Sequence, residues 1–266
     1  MPRYAANLSL MFAEHALKER FAAAARADFR AVEVQFPYAL SREDYAAASR
    51  DAGLPVALIN LDRGDPAKTA GFAAVPGAEA TFRETLQQAL DYAAVSDTPI
   101  LHAMAGYCTD PAARAEARKT YIANLRHAGE VAGRHGRTIV IEAINPFDMP
   151  GYFLNRTDEA AEILREIGSP HVKMLFDVYH TQIVEGDIFR RMERHMPLIG
   201  HVQIAAVPSR HEPDEGEIDF AHVLAKLIEL GYAGDIGCEY RPRGVTEAGL
   251  GWRRTLAARM GGVSIL

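Results

Sequence analysis

Four oxygen-bearing side chains recur along the second half of the chain at similar intervals: Glu142, Asp177, Gln203 and Glu239, separated by 35, 26 and 36 residues. Each closes a short apolar run. In Ile139-Val140-Ile141-Glu142, strand alternation puts Val140 and Glu142 on one face and Ile139 and Ile141 on the other. The same parity pairs Leu175 with Asp177, His201 with Gln203 and Gly237 with Glu239. Three carboxylates meeting in a water-poor place repel one another, and the usual remedies are protonation, pairing with Arg or Lys, or a bound cation. No Lys or Arg lies within these four run ends. A divalent cation is therefore the economical reading, and a donor set of oxygens without Cys or an obvious His favours Mg2+ or Mn2+ over Zn2+. The other reading stays open at this point: each acid caps a strand or pairs with a base from a loop.

Such convergence needs elements that bring distant residues to one place. β-rich apolar runs recur at Tyr4 to Leu8, Ala31 to Phe36, Val56 to Asn60, Ile100 to Met104, Thr138 to Ile144, Val172 to Asp177, Ile199 to Ile204 and Ile236 to Tyr240. Between them, helical periodicity covers Ala16 to Ala27, Arg42 to Ala52, Ala78 to Val95, Ala112 to His135, Asp158 to Ile167, Asp187 to Arg194, Phe220 to Leu230 and Thr246 to Met260. Ser41, Thr157 and Asp219 stand where N-caps belong, and Gly53, Gly168 and Gly231 where helices stop. Runs such as Thr138-Ile139-Val140-Ile141 are apolar on both faces, which suits parallel strands covered by helices. Strand then helix, eight times, predicts an α/β fold of the (β/α)8 barrel type. An open doubly wound sheet ranks second, because Asn7-Leu8-Ser9 after the first strand is no glycine-rich dinucleotide fingerprint. No linker divides the chain, so one domain over residues 1–266 is expected, with Asp62 to Pro76 and Pro208 to Glu217 as loops at the strand ends.

In such barrels the C-terminal strand ends build the site. Asn7, Glu33, Asn60 and His102 close the first four strands, as the four groups above close the last four. His180, one helical turn past Asp177, is a candidate to bind substrate or orient a ligand; a solvated or capping His is the plain alternative. Arg210, in the loop after the Gln203 strand, has a guanidinium fork suited to a substrate carboxylate, unless it merely pairs with a nearby acid.

Composition narrows the class. The 266 residues are 48% hydrophobic and 24% charged, as in folded globular proteins. With 29 basic against 35 acidic side chains the net charge is −6, which lacks the broad positive field that holds nucleic acid. Two cysteines, Cys108 and Cys238, form no metal-ligand or disulfide spacing, and no run approaches a membrane span or a signal sequence. A cytoplasmic enzyme without nucleic-acid or membrane partners is expected, compatible with a homo-oligomer.

Taken together, Met1-Pro2-Arg3-Tyr4-Ala5-Ala6-Asn7-Leu8-Ser9, Ile141-Glu142-Ala143-Ile144-Asn145, Phe176-Asp177-Val178-Tyr179-His180, His201-Val202-Gln203-Ile204-Ala205, Gly216-Glu217-Ile218 and Gly237-Cys238-Glu239-Tyr240 resemble the hydroxypyruvate isomerase family, over nearly the whole length. The resemblance implies a xylose-isomerase-like barrel holding one divalent metal on Glu142, Asp177, Gln203 and Glu239, with Glu142 and Glu239 as the acid/base pair. It implies aldose-ketose isomerisation of a small anionic hydroxy or oxo acid, hydroxypyruvate to 2-hydroxy-3-oxopropanoate (tartronate semialdehyde), through a cis-enediolate, with His180 and Arg210 orienting the substrate. Isomerases of 2-oxo-tetronates share nearly the same motifs and form the alternative. Ketose 3-epimerases of the same fold carry His where Gln203 stands, and DNA-repair endonucleases use several metals and more His ligands. Gln203 and the acidic balance argue against both. A non-catalytic sugar-acid binder on the same barrel would have lost one of the four ligands, and none is missing.

Overall fold

In the computed structural model, which describes residues 2–261, eight parallel strands close into a single barrel in sequence order. They are β1 (Tyr4–Asn7), β2 (Ala31–Val34), β3 (Val56–Asn60), β4 (Ile100–His102), β5 (Thr138–Glu142), β6 (Val172–Asp177), β7 (Ile199–Ile204) and β8 (Ile236–Cys238). Closure is made by β8 on β1, with Ala5 opposite Gly237 and Ala6 opposite Cys238. The helices outside are α1 (Leu17–Arg26), α2 (Arg42–Ala52), α3 (Glu79–Ser96), α4 (Arg114–Arg134), α5 (Thr157–Ile167), α6 (Val178–Val184), α7 (Ile188–His195), α8 (Phe220–Glu229), α9 (Thr246–Gly249) and α10 (Trp252–Arg259). The expected (β/α)8 barrel is thus present. Of the domain span expected from the sequence, Met1 and residues 262–266 lie outside the described residues.

Alternation along the strands separates two cores. Ile139 and Ile141 of β5 belong to the large apolar layer between barrel and helices, whereas Val140 packs inside the barrel with Leu58 and Leu175, flanked by Ile100. On the other side of the interior the floor is small, built of Ala5, Ala31 and Ala57. Each buried Val, Leu or Ile contributes roughly 1.5–3 kcal/mol through the water it sheds, so a one-residue slip would turn a whole strand inside out at large cost. The parity read from the sequence therefore holds. Interior apolar residues form a floor, and the polar strand ends stand above it.

Several boundaries differ from expectation. Five strands end one or two residues early, β4 at His102 and β8 at Cys238 among them, because residues beyond are buried under loops rather than paired in the ladder. Apolarity reports burial, not pairing. A helix not expected, α6, begins directly after Asp177, and the expected last helix is two, interrupted near Leu250. Ser41 and Asp219 do cap helices, accepting from the backbone N–H of Asp44 and Ala221, and Gly53 and Gly168 adopt the left-handed stop. Thr157 is not an N-cap. It is the first helical residue of α5, Arg156 precedes it, and its N–H and hydroxyl both donate to Glu185, each at 2.8 Å.

The loops at the strand ends are strapped together by short antiparallel contacts, Gly71 with Ala105 and Tyr107 with Tyr152, and the Tyr152 hydroxyl accepts from the Ala105 N–H. These ties rim the mouth above β3, β4 and β5. Cys108 and Cys238 are unpaired, and no helix among the described residues is long and apolar enough to cross a membrane.

Candidate active site

The strand ends enclose a cavity of about 690 Å³ whose wall includes Glu142, His180, Arg210 and Glu239. Asp177 and Gln203 are buried outside that wall, 2% and 1% exposed. Register places the four expected ligands side by side: Glu142 opposite Leu175 on β6, Asp177 opposite Gln203, and Gln203 opposite Gly237, two residues before Glu239.

What the oxygens touch separates capping from coordination. Asp177 does both jobs: Oδ1 accepts from the Tyr179 N–H and caps α6, while Oδ2 is buried without a partner. Glu142 Oε1 and Gln203 Oε1 are likewise buried and unpartnered. Buried polar atoms are rarely left unsatisfied, and three such oxygens on adjacent strands are the donor set a hard divalent cation takes. The residues fit the group. Glu239 differs, since Oε1 accepts from Arg210 at 2.7 Å and Oε2 from Gln203 at 2.6 Å and Asn7 at 3.3 Å.

By distance alone, Glu142, Asp177 and His180 form a group able to hold a metal. Hydrogen bonding gives His180 another role. Asn145 Oδ1 accepts from the N–H groups of Phe147 and Asp148, which turns its amide nitrogen onto His180 Nδ1 at 2.7 Å. Nδ1 is therefore the acceptor, and the neutral ring carries its proton on Nε2. Nε2 lies 3.7 Å from both Glu142 Oε1 and Asp177 Oδ2, so His180 presents an N–H to the site rather than a ligand lone pair. Burial, with Arg210 and His102 nearby, pushes the pKa of His180 well below the ordinary value, in keeping with a neutral ring. His102, 3.7 Å from Glu142, is pushed down to about 3 by burial and by His201.

Arg210 supplies the base that the strand ends lack. Its side chain is 16% exposed, lies over the Tyr179 ring at 4.9 Å, and donates to Asp148 at 3.1 Å as well as to Glu239. Its backbone takes the left-handed conformation at φ 56°, uncommon for a residue with a side chain and a form of strain found at functional sites. The Nε–H is buried with no partner. Of the two readings of Arg210, pairing with acids is seen, with Asp148 and Glu239.

One guanidinium does not balance the acids. Burial raises the pKa of Glu142 well above the carboxylate range, with Glu239 and Asp177 adding to the rise. Burial likewise pushes Asp177 up to about 6, against the pull of Arg210 and the backbone N–H groups of Tyr179 and His180. Glu239 is pushed up to about 8 by burial and by Asp177 and Glu33, again with Arg210 opposing. Burial and mutual repulsion thus favour the protonated forms of Glu142 and Glu239 in the metal-free site, and a cation would compete with those protons.

Sequence reasoning passed over part of this assembly. Glu33 was one polar strand end among eight, yet it is fully buried and accepts from Asn7 at 3.0 Å and Gln203 at 2.9 Å, with His201 on its other oxygen. A signal was available: with Val32 and Val34 of a barrel strand facing the helices, parity turns Glu33 into the barrel as it does Glu142. Asn145 carried no such mark, because its role is to hold a side chain 35 residues away.

With this geometry in place, the chain matches the family described as "Xylose isomerase-like TIM barrel" over residues 21–257, and it belongs to that family. Among its relatives is the 2-oxo-tetronate isomerase of Cupriavidus necator, 50% identical over 260 residues, covering 97% of this chain and all of that one. A human protein named "Putative hydroxypyruvate isomerase" is 42% identical, covering 97% of this chain and 96% of its own. A solved structure from Brucella melitensis, named as an AP endonuclease of family 2, superposes with a TM-score of 0.93 at 42% identity, over 96% of this chain and 99% of that one.

Proposed function

We propose that this enzyme is an aldose-ketose isomerase of short sugar acids, moving a hydrogen between C2 and C3 of hydroxypyruvate to give 2-hydroxy-3-oxopropanoate. The observation that carries the proposal is the trio of partnerless buried oxygens on Glu142, Asp177 and Gln203, set beside a second cavity-wall glutamate, Glu239, that is held by Arg210. Glu142, Asp177 and Gln203, with Glu239 as the fourth ligand, would hold Mg2+ or Mn2+. When bound, the cation supplies positive charge that polarises the substrate carbonyl and stabilises the cis-enediolate.

Glu142 and Glu239 exchange the proton. One carboxylate takes it from the hydroxyl-bearing C3 and the partner acid returns one to C2, while the hydroxyl proton passes from O3 to O2, so the product carries its carbonyl at C3 and its hydroxyl at C2. Glu239 lines the cavity with Glu142, and Arg210 at 2.7 Å and Gln203 at 2.6 Å hold its carboxylate in place for the exchange. His180, proton on Nε2, donates to a substrate oxygen, and the guanidinium of Arg210 on the cavity wall binds the carboxylate.

A second reading, isomerisation of 2-oxo-tetronates, is favoured by the 50% identity to the C. necator protein. A substrate panel separates the two: hydroxypyruvate, 2-oxo-tetronates, neutral ketoses and abasic DNA, each with added Mg2+ or Mn2+. Turnover of the acids alone supports the proposal, and the better acid decides between the readings. Turnover of neutral ketoses in preference, or cleavage of the DNA without isomerisation, overturns it.

A further inference from the structure

Beneath the proposed metal ligands lies a carboxylate that the reaction does not use. Glu33 points into the barrel from β2, is 0% exposed, and has both carboxylate oxygens engaged: Asn7 and Gln203 donate to Oε2, and His201 sits on Oε1. The chain makes space for it. A Cβ on Gly237 of β8 would come within 2.1 Å of Glu33 Oε1 and 2.7 Å of Gln203 Cγ. Burying a carboxylate is costly even when it is fully hydrogen bonded, and replacement by a packed apolar residue often costs nothing in stability. A built socket for such a group asks for another reason.

The amide of Gln203 provides it. Its nitrogen donates to two carboxylates, Glu33 at 2.9 Å and Glu239 at 2.6 Å. Flipping the amide would set its carbonyl oxygen against both acids. Donation to Glu239 alone would not lock the group, because Glu239 also answers to Arg210 and to the reaction. We infer that Glu33 is a positioning residue, whose carboxylate pins the Gln203 amide with its carbonyl oxygen free for the cation, while His201 and Gly237 hold Glu33 in place. The inference rests on the proposed metal-ligand role of Gln203. It explains how an amide, which has a wrong way round, serves where a symmetric carboxylate would not have one.

The test is Mn2+ binding to metal-free protein, followed by titration calorimetry and by the electron spin resonance signal of free Mn2+. Wild type binds; if it does not, the metal reading fails and this inference with it. Glu33→Met, similar in length but without an oxygen acceptor, leaves the amide unpinned, and Mn2+ affinity falls about 10- to 100-fold, the range seen when supports behind metal ligands are removed. Glu33→Gln keeps a carbonyl oxygen to accept from Gln203 and Asn7 and turns its N–H toward His201, so its affinity stays within about threefold of wild type. A merely structural role for Glu33 predicts no such difference between folded variants. Wild-type affinity in folded Glu33→Met, or a folded Glu33→Gln as weak as Glu33→Met, overturns the inference. If Glu33→Met does not fold, Glu33→Ala, which also lacks the acceptor, is judged by the same criteria; if neither folds, Glu33 serves folding and the inference falls.

Discussion

Gly237→Ala sets two effects of opposite sign against each other. The backbone there is not left-handed, so an alanine is conformationally allowed and, by restricting the unfolded chain, would stabilise by about 0.4–1 kcal/mol. Against this, the added methyl lies 2.1 Å from Glu33 Oε1, 2.6 Å from its Cδ and 2.7 Å from Gln203 Cγ. Neither side chain has anywhere to go: Glu33 is held by His201, Asn7 and Gln203, and Gln203 by Glu33 and Glu239. Overpacking a filled interior costs about 1–3 kcal/mol, and breaking one hydrogen bond to a charged group about 1.5–3 more. The clash wins, with a net loss of roughly 2–5 kcal/mol, which lowers Tm on the order of 10 °C for a chain of this size. Melts in EDTA isolate this from any metal contribution, and Mn2+ affinity in the folded variant should fall as Gln203 is displaced. A Tm within about 2 °C of wild type would show that the Glu33 carboxylate is free to move, and the reasoning about its confinement would be refuted.

Glu142→Gln and Glu239→Gln each keep an oxygen but cannot accept a proton, so isomerisation and solvent deuterium exchange at C3 should drop about a hundredfold or more; near-normal exchange in either leaves that residue a ligand only. Adding Mn2+ to metal-free enzyme should raise Tm, by about 2.7 kcal/mol of linkage at a hundredfold excess over Kd, and identical melts with and without EDTA count against the site. That gain should widen with pH: Asp177 and Glu239, pushed up to about 6 and 8, stabilise the metal-free fold fully only below the unfolded carboxylate range and lose that contribution as pH rises through those values, while the cation gains its ligands. Arg210→Lys should raise KM for the acid about tenfold, roughly 1.4 kcal/mol, and also lower kcat, because an ammonium cannot span Glu239 and Asp148 as the fork does. Unchanged kinetics for hydroxypyruvate would remove Arg210 from substrate recognition.

Much of the site was legible because strand parity is a rigid rule. Once Ile139 and Ile141 face the helices, Glu142 has one direction left, and the same logic carried Asp177, Gln203 and Glu239 inward. What sequence could not show was reach. Arg210 lies in a loop, and nothing in Pro208-Ser209-Arg210-His211 says that its guanidinium turns back to Glu239. Nor does a sequence tell a ligand histidine from a donor one, since the answer for His180 lies in the amide of Asn145. Strand ends were overrun for a related reason: the residues beyond His102 and Glu142 are apolar because loops cover them, a tertiary fact with no local mark.

The cavity is large for what it is proposed to hold. At about 690 Å³ it has room for some twenty waters at roughly 30 Å³ each, several times the bulk of a three- or four-carbon acid. The acids and amide proposed to do the chemistry are held below by strands and hydrogen bonds, while the surplus volume is bounded by loop residues such as Met149, Pro208 and Ser209. Reaction and chain length are therefore written in separate parts of the molecule. A lineage can lengthen or shorten its substrate by exchanging a methionine or a proline at the rim, without touching the ring beneath. The same separation invites engineering: filling the slack from the loops is the route to a stricter enzyme, and emptying it further the route to longer sugar acids.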